Sequence, residues 1–161
     1  MKTVYKGKSK ISGYGLFVKE KVKKGERICY IKGQKKFKIN RSIKDTLANP
    51  DWVGVRKNWW IDPIPPFKFL NHSCNPNAGI KGSVTLCALR NIKPDEEITV
   101  DYSTFEGDER WQLEGGKMCL CGEKNCRGVI KSIHYLPKST FVKYLPLVSS
   151  YFKEQYKKQA L

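Results

Sequence analysis

The chain has no apolar run long enough to span a bilayer. Its first residues, Met1-Lys-Thr-Val-Tyr-Lys-Gly7, lack the apolar stretch that a secretory leader needs. A soluble protein of a reducing compartment with no membrane partner is expected, nuclear or chromosome-associated if the source is eukaryotic or viral and otherwise cytoplasmic. No internal repeat, low-complexity tract or second domain is evident, so 161 residues suggest one domain around one core. Acids are scarce: 15 Asp and Glu face 31 Lys and Arg, for a net charge of +16. That excess favours contact with nucleic acid, nucleoprotein or another acidic surface, against the plainer reading of a merely soluble basic protein. Hydrophobic residues, at 40%, are too many for a disordered tail.

Short apolar runs separated by turn residues predict strands at Thr3-Val-Tyr5, Leu16-Phe-Val18, Arg27 to Ile31, Ser83 to Leu89 and Glu97 to Tyr102. Residues 33–58 are polar and basic and read as an insertion, with a short helix at Ile43 to Leu47. Pro63, Pro65 and Pro66 argue against regular structure just after it. Residues 103–117 read as loop. Near the end, Phe141, Tyr144, Leu145, Val148, Phe152 and Tyr156 recur at spacings of three and four. That is the stripe of one amphipathic helix, expected over 138–159 and packed on the body of the domain.

Six cysteines in a reducing setting are metal ligands or core residues rather than disulfides. Cys119-Leu-Cys121-Gly-Glu-Lys-Asn-Cys126-Arg-Gly128 places three thiols within eight residues, a spacing that suits tetrahedral zinc. Cys74, His72, His134, Cys29 and Cys87 are candidates for the fourth ligand. Cys29 and Cys87 lie in apolar strands, where a buried inert thiol is usual. Cys74 lies in the polar stretch Phe69-Leu-Asn-His-Ser-Cys-Asn-Pro-Asn-Ala78 and is the choice; redox-active or incidental cysteines are the alternative.

Three motifs then stand in order: Ser9-Lys-Ile-Ser-Gly13-Tyr-Gly15-Leu-Phe17, the Asn71-His72-Ser73-Cys74-Asn-Pro76-Asn77 run, and Glu96-Glu-Ile-Thr-Val-Asp101-Tyr102. With the Cys-x-Cys-x4-Cys-Arg-Gly segment behind them, residues 1–128 resemble compact SET-domain protein lysine methyltransferases with a post-SET zinc module. The resemblance implies a mainly β fold of small curved sheets. In it, the Asn-His-Ser stretch and the segment ending in Asp101-Tyr102 pass through one another in a knot-like crossing. The domain would cover 1–104, with 33–68 variable, and the post-SET module 115–131. Dense Asn, His and Ser side chains would satisfy the backbone groups that such a crossing strands.

The same resemblance implies S-adenosylmethionine as methyl donor and zinc as a structural ion on Cys74, Cys119, Cys121 and Cys126. Gly13 and Gly15 would let the backbone approach the donor and Tyr14 would touch it through its backbone. Asn71 and His72 would bind its amino-acid and adenine ends, and Leu120 would cover the adenine. Tyr102 would be the catalytic tyrosine, positioning the methyl group beside it. The substrate would be a lysine-containing, histone-like protein. Eight acids, Asp95, Glu96, Glu97, Asp101, Glu106, Asp108, Glu109 and Glu114, flank Tyr102 and suggest an acidic rim for a basic peptide, with the basic remainder free to rest on nucleic acid. A catalytically silent zinc-stabilised module that binds nucleoprotein, or a methyltransferase for a non-histone protein, are the rival readings.

Overall fold

The computed structural model describes residues 1–39, 51–107 and 117–158. The helix expected at Ile43 to Leu47 and the acids Asp108, Glu109 and Glu114 lie outside the described residues. No helix among those described is long and apolar enough to cross a membrane.

Twelve strands are described, in four small sheets. β1 (Val4–Lys8), β2 (Tyr14–Val18), β10 (Glu97–Val100) and β7 (Asn71–His72) form one, in the order β1-β2-β10-β7. β3 (Arg27–Tyr30), β9 (Thr85–Ala88) and β8 (Ala78–Lys81) form the second. β4 (Gly33–Phe37), β6 (Trp59–Pro63) and β5 (Val53–Arg56) form the third. β11 (Lys117–Met118) and β12 (Val129–Ile130) make a short hairpin. Much of the segment read as an insertion is therefore the third sheet, and Pro63 ends β6 rather than preventing it.

Period-two alternation explains the central strands. Leu16 and Val18 of β2 and Ile98 and Val100 of β10 are fully buried, while β1 on the outer edge carries Lys6 and Lys8. Full burial of one such aliphatic side chain contributes about 1.5–3 kcal/mol. β10 pairs with β7 in parallel, Thr99 opposite Asn71 and Val100 opposite His72, and Ser73 N–H then donates to Val100 O at 3.0 Å. Two stretches far apart in sequence, the Asn-His-Ser run and the approach to Tyr102, thus lie side by side.

A local repeat that the sequence reading missed supports this centre. Val22-Lys-Lys-Gly-Glu-Arg-Ile28 and Ile92-Lys-Pro-Asp-Glu-Glu-Ile98 fold alike. Val22 and Ile92 exchange backbone hydrogen bonds of 3.0 and 2.9 Å. Lys23 N–H donates to Glu26 Oε2, and Lys93 N–H to Glu96 Oε2, each at 2.9 Å. Both turns carry a left-handed residue, Gly25 (φ 80°) and Asp95 (φ 58°). Lys23, Glu26 and Ile28 recur as Lys93, Glu96 and Ile98, and the other positions differ, because only the buried aliphatics, the turn geometry and one capping carboxylate need to be kept.

The C-terminal helical segment is present but broken. α1 (Lys138–Tyr144) is followed by a 3-10 turn over Leu145–Leu147, and α2 (Ser150–Lys157) starts afresh. Pro146 has no N–H to continue the ladder, and the Ser149 hydroxyl caps α2 by accepting from Phe152 N–H at 3.4 Å. The stripe packs on the domain as expected at Phe141, Tyr144, Val148 and Phe152, whereas the break leaves Leu145 39% exposed. Stacking of Phe141 on Tyr156, with centroids 3.8 Å apart, closes α2 back on α1.

Candidate active site and cysteine cluster

The Gly13-Tyr14-Gly15 turn enters β2. Gly13 has φ +45° with open space around its missing side chain, a conformation that an L-residue adopts only with strain. At Gly15 a Cβ would collide with the Glu97 carboxylate. Asn71, at the start of β7, ties this turn down: its Nδ2 donates to Tyr14 O at 2.9 Å and to Glu97 Oε1 at 2.8 Å. Ser9 Oγ donates to the same carboxylate at 2.9 Å. No bond to Asn71 Oδ1 occurs among the described residues, so the side chain keeps an open acceptor. Lys6 Nζ stands 3.6 Å from the Tyr14 ring centroid and 4.7 Å from that of Phe69, clamping the turn to the segment before β7.

His72 is buried, and its ring joins two parts of the site. Nδ1 accepts from Tyr102 N–H at 3.2 Å, so the ring proton sits on Nε2, 3.3 Å from Cys74 Sγ. Burial outweighs the nearby Asp101 carboxylate and drives the imidazole pKa down to about 4, in keeping with a neutral ring. The short approach of Nδ1 to Asp101 is accordingly not an ion pair.

Tyr102 follows β10 in a 3-10 turn, and its hydroxyl donates to Leu70 O at 2.7 Å. Burial pushes the phenol well above its ordinary pKa, and the Asp51 and Glu97 carboxylates push the same way. The hydroxyl therefore stays protonated near neutrality. It borders a narrow cleft walled by Leu70, Phe67, Trp52, Val53 and Phe105, with a free volume of about 20 Å³. That is room for about one water, beside a lining that is apolar in part and also carries Asp51, Glu106 and Lys68.

Cys74, Cys119, Cys121 and Cys126 come together, their sulfurs all within 4.8 Å of one another. Cys74 and Cys119 are 3.7 Å apart. Four thiolates about 2.3 Å from a zinc ion would have sulfur–sulfur edges of roughly 3.8 Å, so the set fits a tetrahedral ion. Among the described residues the cluster could hold a metal ion, and Cys29, Cys87 and His134 stand outside it. Burial pushes the Cys29 thiol up to about 11, which keeps it inert. Leu120, between two cluster cysteines, is 63% exposed. The eleven candidate residues thus form a connected chain of contacts: Tyr14 to Asn71, Asn71 along β7 to His72, His72 to Tyr102 and Cys74, and Cys74 to the segment that carries Leu120.

Arg127 and Asp101, quoted in the motifs but given no role there, lock this arrangement. Arg127 donates Nη1 to Asp101 Oδ2 at 2.8 Å and Nη2 to Oδ1 at 2.7 Å, and Asp101 is only 1% exposed. The Arg127 N–H also points at Cys74 Sγ at 3.3 Å. Asn125 Nδ2 and the Tyr144 hydroxyl both donate to Cys74 O. A bidentate pair thus joins the cysteine module to the residue beside Tyr102.

Of the described acids in the stretch expected to form an acidic rim, Glu106 alone lines the Tyr102 cleft, where Asp51 joins it from outside the stretch, and the others are turned to internal use. Asp101 and Glu106 are buried. Glu97 is taken up by Ser9 and Asn71, Asp95 accepts from the Tyr5 hydroxyl, and Glu96 pairs with Arg90 at 2.7 Å. Carboxylates dense in sequence are here the internal partners of turns and cations, a use that spacing alone does not reveal.

Comparison with known proteins follows the same lines. Residues 13–103, more than half of the chain, match the SET domain. A histone-lysine N-methyltransferase, H3 lysine-4 specific, of Emericella nidulans is 30% identical over 145 residues, which is 80% of this chain and 12% of that protein. Histone-lysine N-methyltransferase SETD1B of Homo sapiens is 27% identical over 140 residues, 76% of this chain and 7% of that protein. The chain therefore spans 12% or less of these relatives' length. Of solved structures, the methyltransferase domain of human histone-lysine N-methyltransferase SETMAR superposes with a TM-score of 0.59 at 20% identity, covering 82% of this chain and 59% of that one, a likeness of fold. On the matched sequence, with its motifs assembled around one centre, the chain belongs to the SET domain family.

Proposed function

We propose that this chain is an S-adenosylmethionine-dependent protein-lysine N-methyltransferase acting on a basic protein of the histone type. The observation that carries the reading is the Tyr102 hydroxyl, fixed by Leu70 O at 2.7 Å and bordering a narrow cleft of about 20 Å³ with Phe67, Leu70 and Phe105 on its wall. The names of the relatives, which describe those proteins as histone-lysine methyltransferases, favour the substrate class.

The residues present fit the donor. Gly13 offers backbone beside open space, with Tyr14 exposed next to it and Gly15 packed on Glu97 behind, Asn71 offers Oδ1 as an acceptor for an ammonium, and Leu120 offers exposed apolar surface. His72 would contribute backbone, because both ring nitrogens are engaged. Bound there, S-adenosylmethionine supplies a methyl group activated by its sulfonium. Zinc on Cys74, Cys119, Cys121 and Cys126 would hold Leu120 in place and take no part in the transfer.

The chain's own work is positional. The apolar part of the wall, Phe67, Leu70 and Phe105, strips water from an entering lysine and lowers the pKa of its amine, which must be neutral to act as nucleophile, while Asp51 and Glu106 on the same lining attract the charged amine to the cleft. The proton leaves to solvent, because Tyr102 remains protonated and is no base. With its own proton directed at Leu70 O, the Tyr102 oxygen turns lone pairs toward the cleft, where they can orient polarised C–H and N–H groups. Holding two reactants in line contributes several kcal/mol toward the barrier, on the order of 7 or more in the best cases.

Calorimetry with S-adenosylmethionine, followed by mass spectrometry of histone-type and unrelated lysine-bearing proteins, tests the reading. Micromolar binding and a 14-dalton gain per methyl on lysine are expected. A folded, metal-loaded chain that binds no donor would leave the silent nucleoprotein-binding module in its place. Methylation confined to non-histone proteins would keep the chemistry and overturn the substrate.

A further inference from the structure

The β4–β6–β5 sheet ends, away from Tyr102, in a cluster that methyl transfer does not use. Phe37 of β4 and Trp59 of β6 are paired across the strands, their ring centroids 5.0 Å apart, and Phe37 is 55% exposed. Arg56 of β5 is the register partner of Trp59 on the other side and places its guanidinium 5.2 Å from that ring. Lys35, two residues before Phe37 and so on the same face of β4, is exposed, as is Lys57 at the hairpin tip.

A groove of about 630 Å³ runs on from Lys35, Arg56 and Trp59, between the sheet and the Ser149–Tyr151 end of α2. Its lining holds two cations and no carboxylate. Trp59 lies four residues along β6 from Pro63, which borders the Tyr102 cleft. At about 3.3 Å per residue that is roughly 13 Å, so the surface is separate from the cleft.

We propose that this end of the sheet binds single-stranded nucleic acid, its bases stacking on Phe37 and Trp59 and its phosphates meeting Lys35, Arg56 and Lys57. Charge complementarity identifies the occupant: a chain of net charge +16 presents here a groove without acids. The aromatic faces narrow the choice. An acidic peptide would use the cations and leave the exposed Phe37 ring and the half-buried Trp59 beside it idle, whereas every base has a planar face to stack. A duplex keeps its bases inside and would gain only the charge contacts. The proposal does not rest on the methyl-transfer reading.

The test is fluorescence anisotropy of the full chain with a labelled 15-nucleotide oligo-dT, titrated with salt. Three phosphate contacts predict a slope of log K against log salt near −2, at about −0.7 each. Arg56→Glu with Lys57→Glu is expected to weaken binding by about tenfold or more and to flatten the slope. Phe37→Ala removes a largely exposed ring and is expected to weaken binding by about fivefold or more with the slope unchanged. Phe37→Leu serves if melting shows that the alanine variant is unfolded. S-adenosylmethionine affinity, measured beside it, should not change in these variants, so failure here is separable from failure of the methyltransferase reading. Wild-type binding by the variants, equal affinity for a duplex or for polyglutamate, or loss of binding only on reversing Lys21, Lys23 and Lys24 would overturn the proposal.

Discussion

Arg127→Ala tests how the cysteine module is held to the reactive centre. The wild-type guanidinium makes two bonds of 2.7 and 2.8 Å to Asp101, whose carboxylate is 1% exposed. Without them the carboxylate keeps, among the described residues, one neutral donor, Ser103 N–H at 3.1 Å. Removing one partner of a buried pair costs about 3–5 kcal/mol, chiefly because the other charge is left uncompensated. Arg127 retains 19% exposure, which places the loss near the lower end, at about 3 kcal/mol. Against a total of about 5–15 kcal/mol this is a large share. With a urea m-value of about 2 kcal/mol/M, the unfolding midpoint should fall by about 1.5 M. Asp101→Asn combined with Arg127→Met, which removes both charges, should recover much of that loss. A midpoint shift under about 0.3 M for Arg127→Ala, in a chain whose metal content equals that of wild type, would refute the claim that this pair fastens the module.

Tyr102→Phe should lower turnover by at least about 100-fold, as expected when a reacting group is misplaced, while the lost bond to Leu70 O costs only about 1 kcal/mol in a urea melt; a variant of wild-type activity removes Tyr102 from the mechanism. Because burial raises the Tyr102 pKa, kcat should climb with pH as the substrate amine deprotonates and show no downturn from tyrosine ionisation below about pH 10. A descending limb in that range that vanishes in Tyr102→Phe would contradict this. Elemental analysis should find one zinc per chain and Cys74→Ser should lose most of it, because three ligands leave the site open; full retention would show that Cys74 is not a ligand. Gly54→Ala would drive a Cβ into the Phe105 carbonyl oxygen and against Phe152, costing about 3 kcal/mol and lowering Tm by about 5–10 °C. An unchanged Tm would show that the backbone there yields.

Several parts of this protein are readable from residue order alone, because their cause is local or their chemistry is rare. Alternation marks β2 and β10, since a strand buried on one face must repeat every second residue. Three cysteines in eight residues point to a metal, since few other arrangements have a use for them. Gly13 announces a backbone that other residues adopt only under strain. Cys74 was separable from Cys29 and Cys87 because it lacks an apolar strand around it.

Other features depend on which distant segments meet. Asp101 and Glu106 look like surface acids until Arg127 and the core close over them. His72 reads as a cofactor ligand, yet its ring is claimed by Tyr102 N–H and Cys74, neighbours set by the parallel pairing of β7 with β10. The apolar stripe of the tail is real, but Pro146 removes one donor and divides the helix, an event that a pattern of hydrophobic spacing does not register. The doubled turns at Val22 and Ile92 leave only a short trace in the sequence, because a turn constrains geometry far more than it constrains side chains. Sequence determined which groups are available for chemistry. Tertiary structure decided which of them remain free to perform it, because pairing and burial are properties of neighbours in space.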